Sequence, residues 1–133
     1  MNKIKKMIFA VAILVCTMSI TAFADSPSDH NISPRMVYTF HFNGGPSINV
    51  SDTEYVGSTV LSGTTVRVVQ VILHSLGYSD YVGTVDSIYG TNTKNAIMRF
   101  QRSQKLSDDG IVGPNTWRAF YSATNNGDVR SRW

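Results

Sequence analysis

Cysteine is all but missing from this 133-residue chain: the sequence holds one, Cys16. It lies in an apolar stretch near the N-terminus, so the rest of the chain has no means of forming a disulfide, a thiolate metal site or a thiol nucleophile. Glutamate is equally scarce, with Glu54 alone. Charged residues amount to 16% of the chain, too few and too dispersed for the basic stripe that neutralises phosphates, so no nucleic acid is expected as a partner. The histidines, His30, His41 and His74, stand apart, without the i, i+4 spacing or convergent set of three that a catalytic zinc ion needs. No metal and no cofactor are expected.

What is present begins with an export signal. Lys3, Lys5 and Lys6 form a basic n-region, Ile8 to Val15 supply an apolar run, and Ala22-Phe23-Ala24 places small residues before Asp25. The run falls short of the ~20 residues of a membrane-spanning helix, and Thr17, Ser19 and Thr21 dilute it. Val15 is bulkier than the residue expected before a lipid-modified cysteine. Residues 1–24 are therefore expected to be a cleaved signal peptide, giving a secreted protein with no stable membrane insertion. Removing three of the twelve basic residues leaves nine, against nine acidic ones, so the formal charge falls from +3 to zero.

Residues 25–35 are polar, carry two prolines and read as a flexible leader. Met36 to Phe42 alternates, which predicts a strand with Tyr38, Phe40 and Phe42 on one face and Val37, Thr39 and His41 on the other. Asn43-Gly44-Gly45-Pro46 breaks it, and Ile48 to Val50 and Tyr55 to Leu61 read as short returning strands, making 36–61 a β-rich extension.

From about Thr64 the period becomes helical. Val66, Val69, Leu73 and Leu76 share one face of a first helix, with Thr64 or Thr65 as cap and Gly77 as left-handed stop. Thr93, Ala96, Ile97 and Phe100 share one face of a second, capped by Thr91. A third opens at Pro114 and turns Trp117, Phe120 and Tyr121 inward. After Ser122 the chain is polar, and 123–133 read as a frayed tail with Arg130 and Arg132 solvated.

The two helix approaches repeat. Asp86-Ser-Ile-Tyr-Gly-Thr-Asn-Thr93 and Asp109-Gly-Ile-Val-Gly-Pro-Asn-Thr116 share D-x-I-x-G-x-N-T. The pattern predicts a tight corner in which Ile88 or Ile111 plugs the core, Gly90 or Gly113 takes a positive φ, and Asp86 or Asp109 accepts loop N–H groups.

On these residues the stretch from Leu61 to Tyr121 resembles the type 1 peptidoglycan-binding domain family, a three-helix module found on many cell-wall amidases and spore cortex hydrolases. The likeness rests on Val66, Gln70 and Leu73, on Leu76-Gly77-Tyr78, and on Val85-Asp86, Tyr89-Gly90, Thr93 and Ala96. It continues through Phe100-Gln101, Leu106, Asp109-Gly110-Ile111-Val112-Gly113 and Thr116-Trp117. Ser87 departs from the family's Asp-Gly pair, and Lys105 replaces a small residue before the leucine. The resemblance implies a mainly α fold, a three-helix orthogonal bundle over 62–122 with a short β-rich N-terminal extension, and peptidoglycan as partner. In it Gly77, Gly90, Phe100, Gln101, Asp109, Gly110, Gly113, Thr116 and Trp117 carry the structural motif.

Catalysis by the chain alone is not expected, because no thiol, metal cage or carboxyl pair can be read from it. Binding asks less: sugar ring faces and stem-peptide amides suit aromatic side chains beside Asp, Asn and Arg. Tyr81, Asp86, Tyr89, Asn92 and Arg99 are the ligand candidates. The expected protein is a non-catalytic, wall-associated targeting or anchoring factor. One alternative is a hydrolase, or a remnant of one, that uses Glu54 or His41 of the extension. Another is an interaction module that recruits a wall hydrolase or a second copy through Tyr38, Phe40 and Phe42.

Overall fold

The computed structural model describes residues 35–133; the expected signal peptide and all but the last residue of the leader lie outside them. Alternation produces the first strand as expected. In β1 (Val37–Asn43) Tyr38, Phe40 and Phe42 are buried while Val37 and His41 face solvent. A turn at Gly44, φ 68°, returns the chain into β2 (Ser47–Ser51), antiparallel to β1 with Tyr38 opposite Val50 and Phe40 opposite Ile48.

The second return expected at Tyr55–Leu61 is a compact turn instead. Thr59 and Val60 both donate backbone N–H groups to the Tyr55 carbonyl, at 3.1 and 3.0 Å, which curls the segment back on itself. Val56 makes isolated bridges to Val60 and Val112, so the turn is pinned against the helical half.

Four helices follow among the described residues: α1 (Thr64–Ser75), the single-turn α2 (Ser79–Val82), α3 (Thr91–Ser103) and α4 (Pro114–Ala123). The three long ones occupy the predicted stretches, and Pro114 opens α4 where its missing N–H is harmless. The threonine caps are not used. Gly63, Gly90 and Gly113 hold the N-cap positions, and no side chain closes them. Thr65 instead donates its hydroxyl to Glu54 Oε2 at 2.6 Å.

The C-terminal ends share one device. After α1 the N–H of Tyr78 reaches the Leu73 carbonyl and that of Gly77 reaches His74, with Gly77 at φ 88°. After α3 the same pair of bonds joins Leu106 to Gln101 and Lys105 to Arg102, with Lys105 at φ 57°. These are Schellman closures, which need a left-handed residue just past the helix.

Residues 123–133 do not fray. The chain turns at Asn125, Asn126 and Gly127, all with positive φ, and enters β3 (Asp128–Arg132), parallel to β1 with Phe42 opposite Val129. Gly127 is required there: its carbonyl accepts the His41 N–H at 2.7 Å, and a side chain on it would collide with the Thr39 carbonyl oxygen. The sheet order is β2-β1-β3.

This last strand explains why α1 is buried from Val68 to Leu73 without a gap. The Arg130 N–H donates to Ser75 Oγ at 3.1 Å and the Arg67 guanidinium lies 5.0 Å from the centre of the Trp133 ring. The stripe of Val68, Val71 and Ser75 therefore faces the sheet, so buried positions extend beyond the single apolar face of Val66, Val69 and Leu73.

The extension and the helices share one core. Trp117 is fully buried, its ring 6.1 Å from Phe40 and 6.0 Å from Phe120, and its Nε1–H donates to the Glu54 carbonyl at 2.8 Å. Burying such a ring contributes about 1.5–3 kcal/mol, provided its N–H finds a partner, and residue 54 supplies that partner. The Tyr38, Phe40 and Phe42 face proposed for a binding partner is consumed inside the chain.

Candidate functional site

The repeated sequence builds the same knot twice. Gln70 of α1 is buried, and its Nε2 donates to Asp86 Oδ1 at 2.9 Å, to the Ile88 carbonyl at 3.1 Å and to Thr93 Oγ1 at 3.1 Å. Its Oε1 accepts the Ser87 N–H at 2.9 Å. Gln101 of α3 repeats this contact for contact: Asp109 Oδ1 at 3.0 Å, the Ile111 carbonyl at 2.9 Å, Thr116 Oγ1 at 3.2 Å, and the Gly110 N–H onto Oε1 at 2.9 Å. An amide has two hydrogens for these three acceptors, so one hydrogen is shared in each knot.

The aspartates do as expected. Asp86 Oδ1 accepts the Ile88 N–H at 2.9 Å and Asp109 Oδ1 that of Ile111 at 2.8 Å. Donation from Gln70 first, and from Ile88 second, holds the Asp86 carboxyl below its ordinary pKa.

Two other expectations are corrected. Gly90 and Gly113 have φ of −111° and −115°, ordinary extended values; the left-handed residues are Ser87 at 65° and Gly110 at 77°, each just after the aspartate. In each turn the N–H of that left-handed residue donates to the glutamine Oε1. The Ile88 side chain does not plug the core, being 58% exposed, and Ile111 is half-buried. Both contribute backbone atoms to the knots and leave their side chains at the surface.

Around the first knot lies a shallow groove of about 340 Å³, walled by Thr84, Asp86, Ile88 and Asn92. Asn92 also borders a second hollow of about 420 Å³, with Asp80, Tyr81, Asn95 and Arg99. Four of the five ligand candidates, Tyr81, Asp86, Asn92 and Arg99, thus meet around Asn92. Tyr81 is 42% exposed, and the Arg99 guanidinium lies 4.0 Å from its ring centre.

Tyr89 lines neither hollow. Its ring packs on Gly57, where any Cβ would sit 2.6 Å from Cζ, and its hydroxyl donates to the Gly110 carbonyl at 2.7 Å. Burial, and then the charge of Asp109, raise its pKa. It fastens one corner to the other.

The two catalytic candidates of the extension are also engaged. Glu54 accepts from Thr65 through Oε2, and His41 Nδ1 is 2.7 Å from Ser47 Oγ across the hairpin. The residues missed in the sequence are Ile88, as a surface group, and Asn95. A signal for Asn95 existed: Asn92, Asn95, Arg99 and Arg102 recur at helical spacing as an unbroken polar stripe on α3.

Residues 62–120 match the model of the family described as "Putative peptidoglycan binding domain". This segment is similar to a peptidoglycan-binding domain. The likeness extends to the N-acetylmuramoyl-L-alanine amidase CwlM of Mycobacterium tuberculosis, 44% identical over 61 residues, which are 46% of this chain and 14% of that protein. The amidase CwlL of Bacillus licheniformis is 37% identical over 83 residues, 53% of this chain and 23% of its own. Among solved structures, a peptidoglycan-binding protein from Clostridioides difficile, in complex with glutamine hydroxamate, matches with TM-score 0.50 and 31% identity over 65% of this chain and 56% of that one. The chain thus spans less than a quarter of these curated relatives. Within the matched segment the knots and the buried Phe100 and Trp117 are structural, as is Gly77 at the end of α1.

Proposed function

We propose that the chain is an exported, non-catalytic wall protein whose peptidoglycan-binding domain holds it on the sacculus through the surface around Asn92, in a targeting or anchoring role. The observation that carries this reading is the meeting of Tyr81, Asp86, Asn92 and Arg99 about one residue, beside an isoleucine left 58% exposed. An apolar ring face and a set of amide and hydroxyl partners fit that mixture. The three long helices, packed as an orthogonal bundle, supply the rigid support. The non-catalytic part is supported by the engagement of Glu54 with Thr65 and of His41 with Ser47.

A shallow site of this kind binds at about −4 to −8 kcal/mol, millimolar to micromolar, which suffices on a polymer that presents its epitope repeatedly. Co-sedimentation of the protein with purified, protein-free sacculi tests the reading. Recovery in the pellet without loss of sacculus turbidity is expected. Complete recovery in the supernatant defeats the binding role, and clearance of the suspension defeats the non-catalytic one.

A further inference from the structure

The duplicated knot carries a duplicated groove. Around Gln101 lies a hollow of about 210 Å³ whose walls include Asp109, Ile111, Gly113, Asn115 and Thr116. These are the repeat counterparts of Asp86, Ile88, Gly90, Asn92 and Thr93, which wall the groove around Gln70. Where the first groove is completed by Val82 and Thr84, the second is completed by Tyr55, Leu106 and Ser107. Tyr55 stands outside the matched segment 62–120, in the extension.

The placement of Tyr55 is specific. Its ring lies so close over the Gly113 backbone that a Cβ there would sit 3.0 Å from Cε1, yet the residue is 41% exposed. The ring is both a wall of the groove and partly open to solvent. The core gains little from this aromatic; a sugar ring gains a stacking surface. Asn115 is exposed beside it, at the position that Asn92 holds in the first groove.

We propose that the Tyr55 groove is a second glycan subsite, resting on the reading above. It takes one N-acetylated amino-sugar ring with its apolar face on Tyr55, its acetamido methyl against Ile111 and Leu106, and its amide and hydroxyls on Asn115 and Ser107. Two weak subsites on one rigid chain engage two units of the same polymer, so retention on sacculi exceeds that of either alone. The extension thereby acquires a role: it carries half of a second site.

Chemical-shift mapping of the full chain with the peptide-free N-acetylglucosaminyl–N-acetylmuramic acid disaccharide tests this. Expected are shifts at both 84–93 and 107–116. Tyr55→Ala and, independently, Asn115→Ala abolish the second set and spare the first, and each lowers retention on sacculi by about tenfold or more. Should Tyr55→Ala unfold the turn, Asn115→Ala, at an exposed side chain, decides alone. Shifts confined to 84–93, or shifts at 107–116 that survive both substitutions, overturn the second subsite and leave the first reading intact. Shifts at neither loop, with sacculus binding retained, overturn both.

Discussion

The hydroxyl of Tyr89 donates to the carbonyl of Gly110 at 2.7 Å, so a side chain from the first knot's loop is tied into the backbone of the second. The two corners are consequently one unit, in which each loop's geometry depends on the other. Gly110 is buried, and its carbonyl has little access to water as a substitute.

Tyr89→Phe keeps the ring and removes that bond. Leaving the Gly110 carbonyl unpaired is expected to cost about 1–2 kcal/mol, which lowers the melting temperature by several degrees in a domain of this size. Thermal melts followed by circular dichroism measure it. An unchanged midpoint means that the corners are held by packing alone.

Ser87 and Gly110 are structural counterparts with positive φ, and one of them is not glycine. A left-handed residue with a Cβ carries about 1–2 kcal/mol of strain, so Ser87→Gly is expected to stabilise by about 1 kcal/mol. Gly110→Ala runs the other way, since a Cβ there would press to 2.7 Å from Lys94 Cγ on top of the φ penalty. Chemical denaturation of both variants checks the pair. Equal effects of the same sign would show that φ is not what matters at this corner.

The helices were readable from sequence because the periods of Thr93, Ala96, Ile97 and Phe100, and of Trp117 and Phe120, each report burial against a single side. Helix α1 was harder: Val68 and Val71 pack on a sheet whose last strand is remote in sequence, so its apolar residues run together. That strand went unseen because Val129, Ser131 and Trp133 alternate with Asp128, Arg130 and Arg132, and over five residues the charges dominate the composition. The knots were half legible. The repeat located the aspartates, but nothing local tells that Gln70 closes a loop 16 to 23 residues away. For the candidate site, the aromatic and amide types were legible; the inward turn of Tyr89 and the outward turn of Ile88 depend on tertiary packing.

Deleting residues 128–133 distinguishes a built-in strand from a loose end. The deletion uncovers Val68 and Val71 on α1 and removes the buried Val129, along with Trp133, which packs 4.7 Å from Phe42. A loss of about 3 kcal/mol or more is expected from the apolar area returned to water. A truncated protein with an unaltered urea midpoint would mean that the tail contributes nothing.

Acid should loosen the first knot. Donation from Gln70 and Ile88 holds the folded Asp86 carboxyl below the ordinary 3.8, and Arg102 does the same for Asp108. The native state therefore prefers the carboxylates, and on acidification the unfolded chain takes up protons first. Their stabilisation is complete above the unfolded value and is lost as pH falls through the folded one. Both groups are exposed, so the effect is small. In melts from about pH 7 to about pH 2.5, the gap between wild type and Asp86→Asn is expected to close below about pH 4. A gap of constant width would assign the cost of that substitution to something other than charge.

Ile88 separates a binding role from a folding role more cleanly than any other residue of the site. Its backbone carbonyl and N–H are fixed by Gln70 and Asp86, in bonds that do not involve its side chain. The side chain itself is 58% exposed. Ile88→Ser should thus leave stability within about 0.5 kcal/mol while removing an apolar contact from the groove. If peptidoglycan lies against this wall, sacculus retention falls several-fold with an unshifted melt. Tyr81→Ala then locates the ligand further: a comparable loss places it across both hollows that meet at Asn92, whereas full retention confines it to the groove beside Asp86. Undiminished retention in the Ile88→Ser protein would move the ligand off this groove altogether, because with the fold unchanged the apolar contact is the one thing the substitution removes.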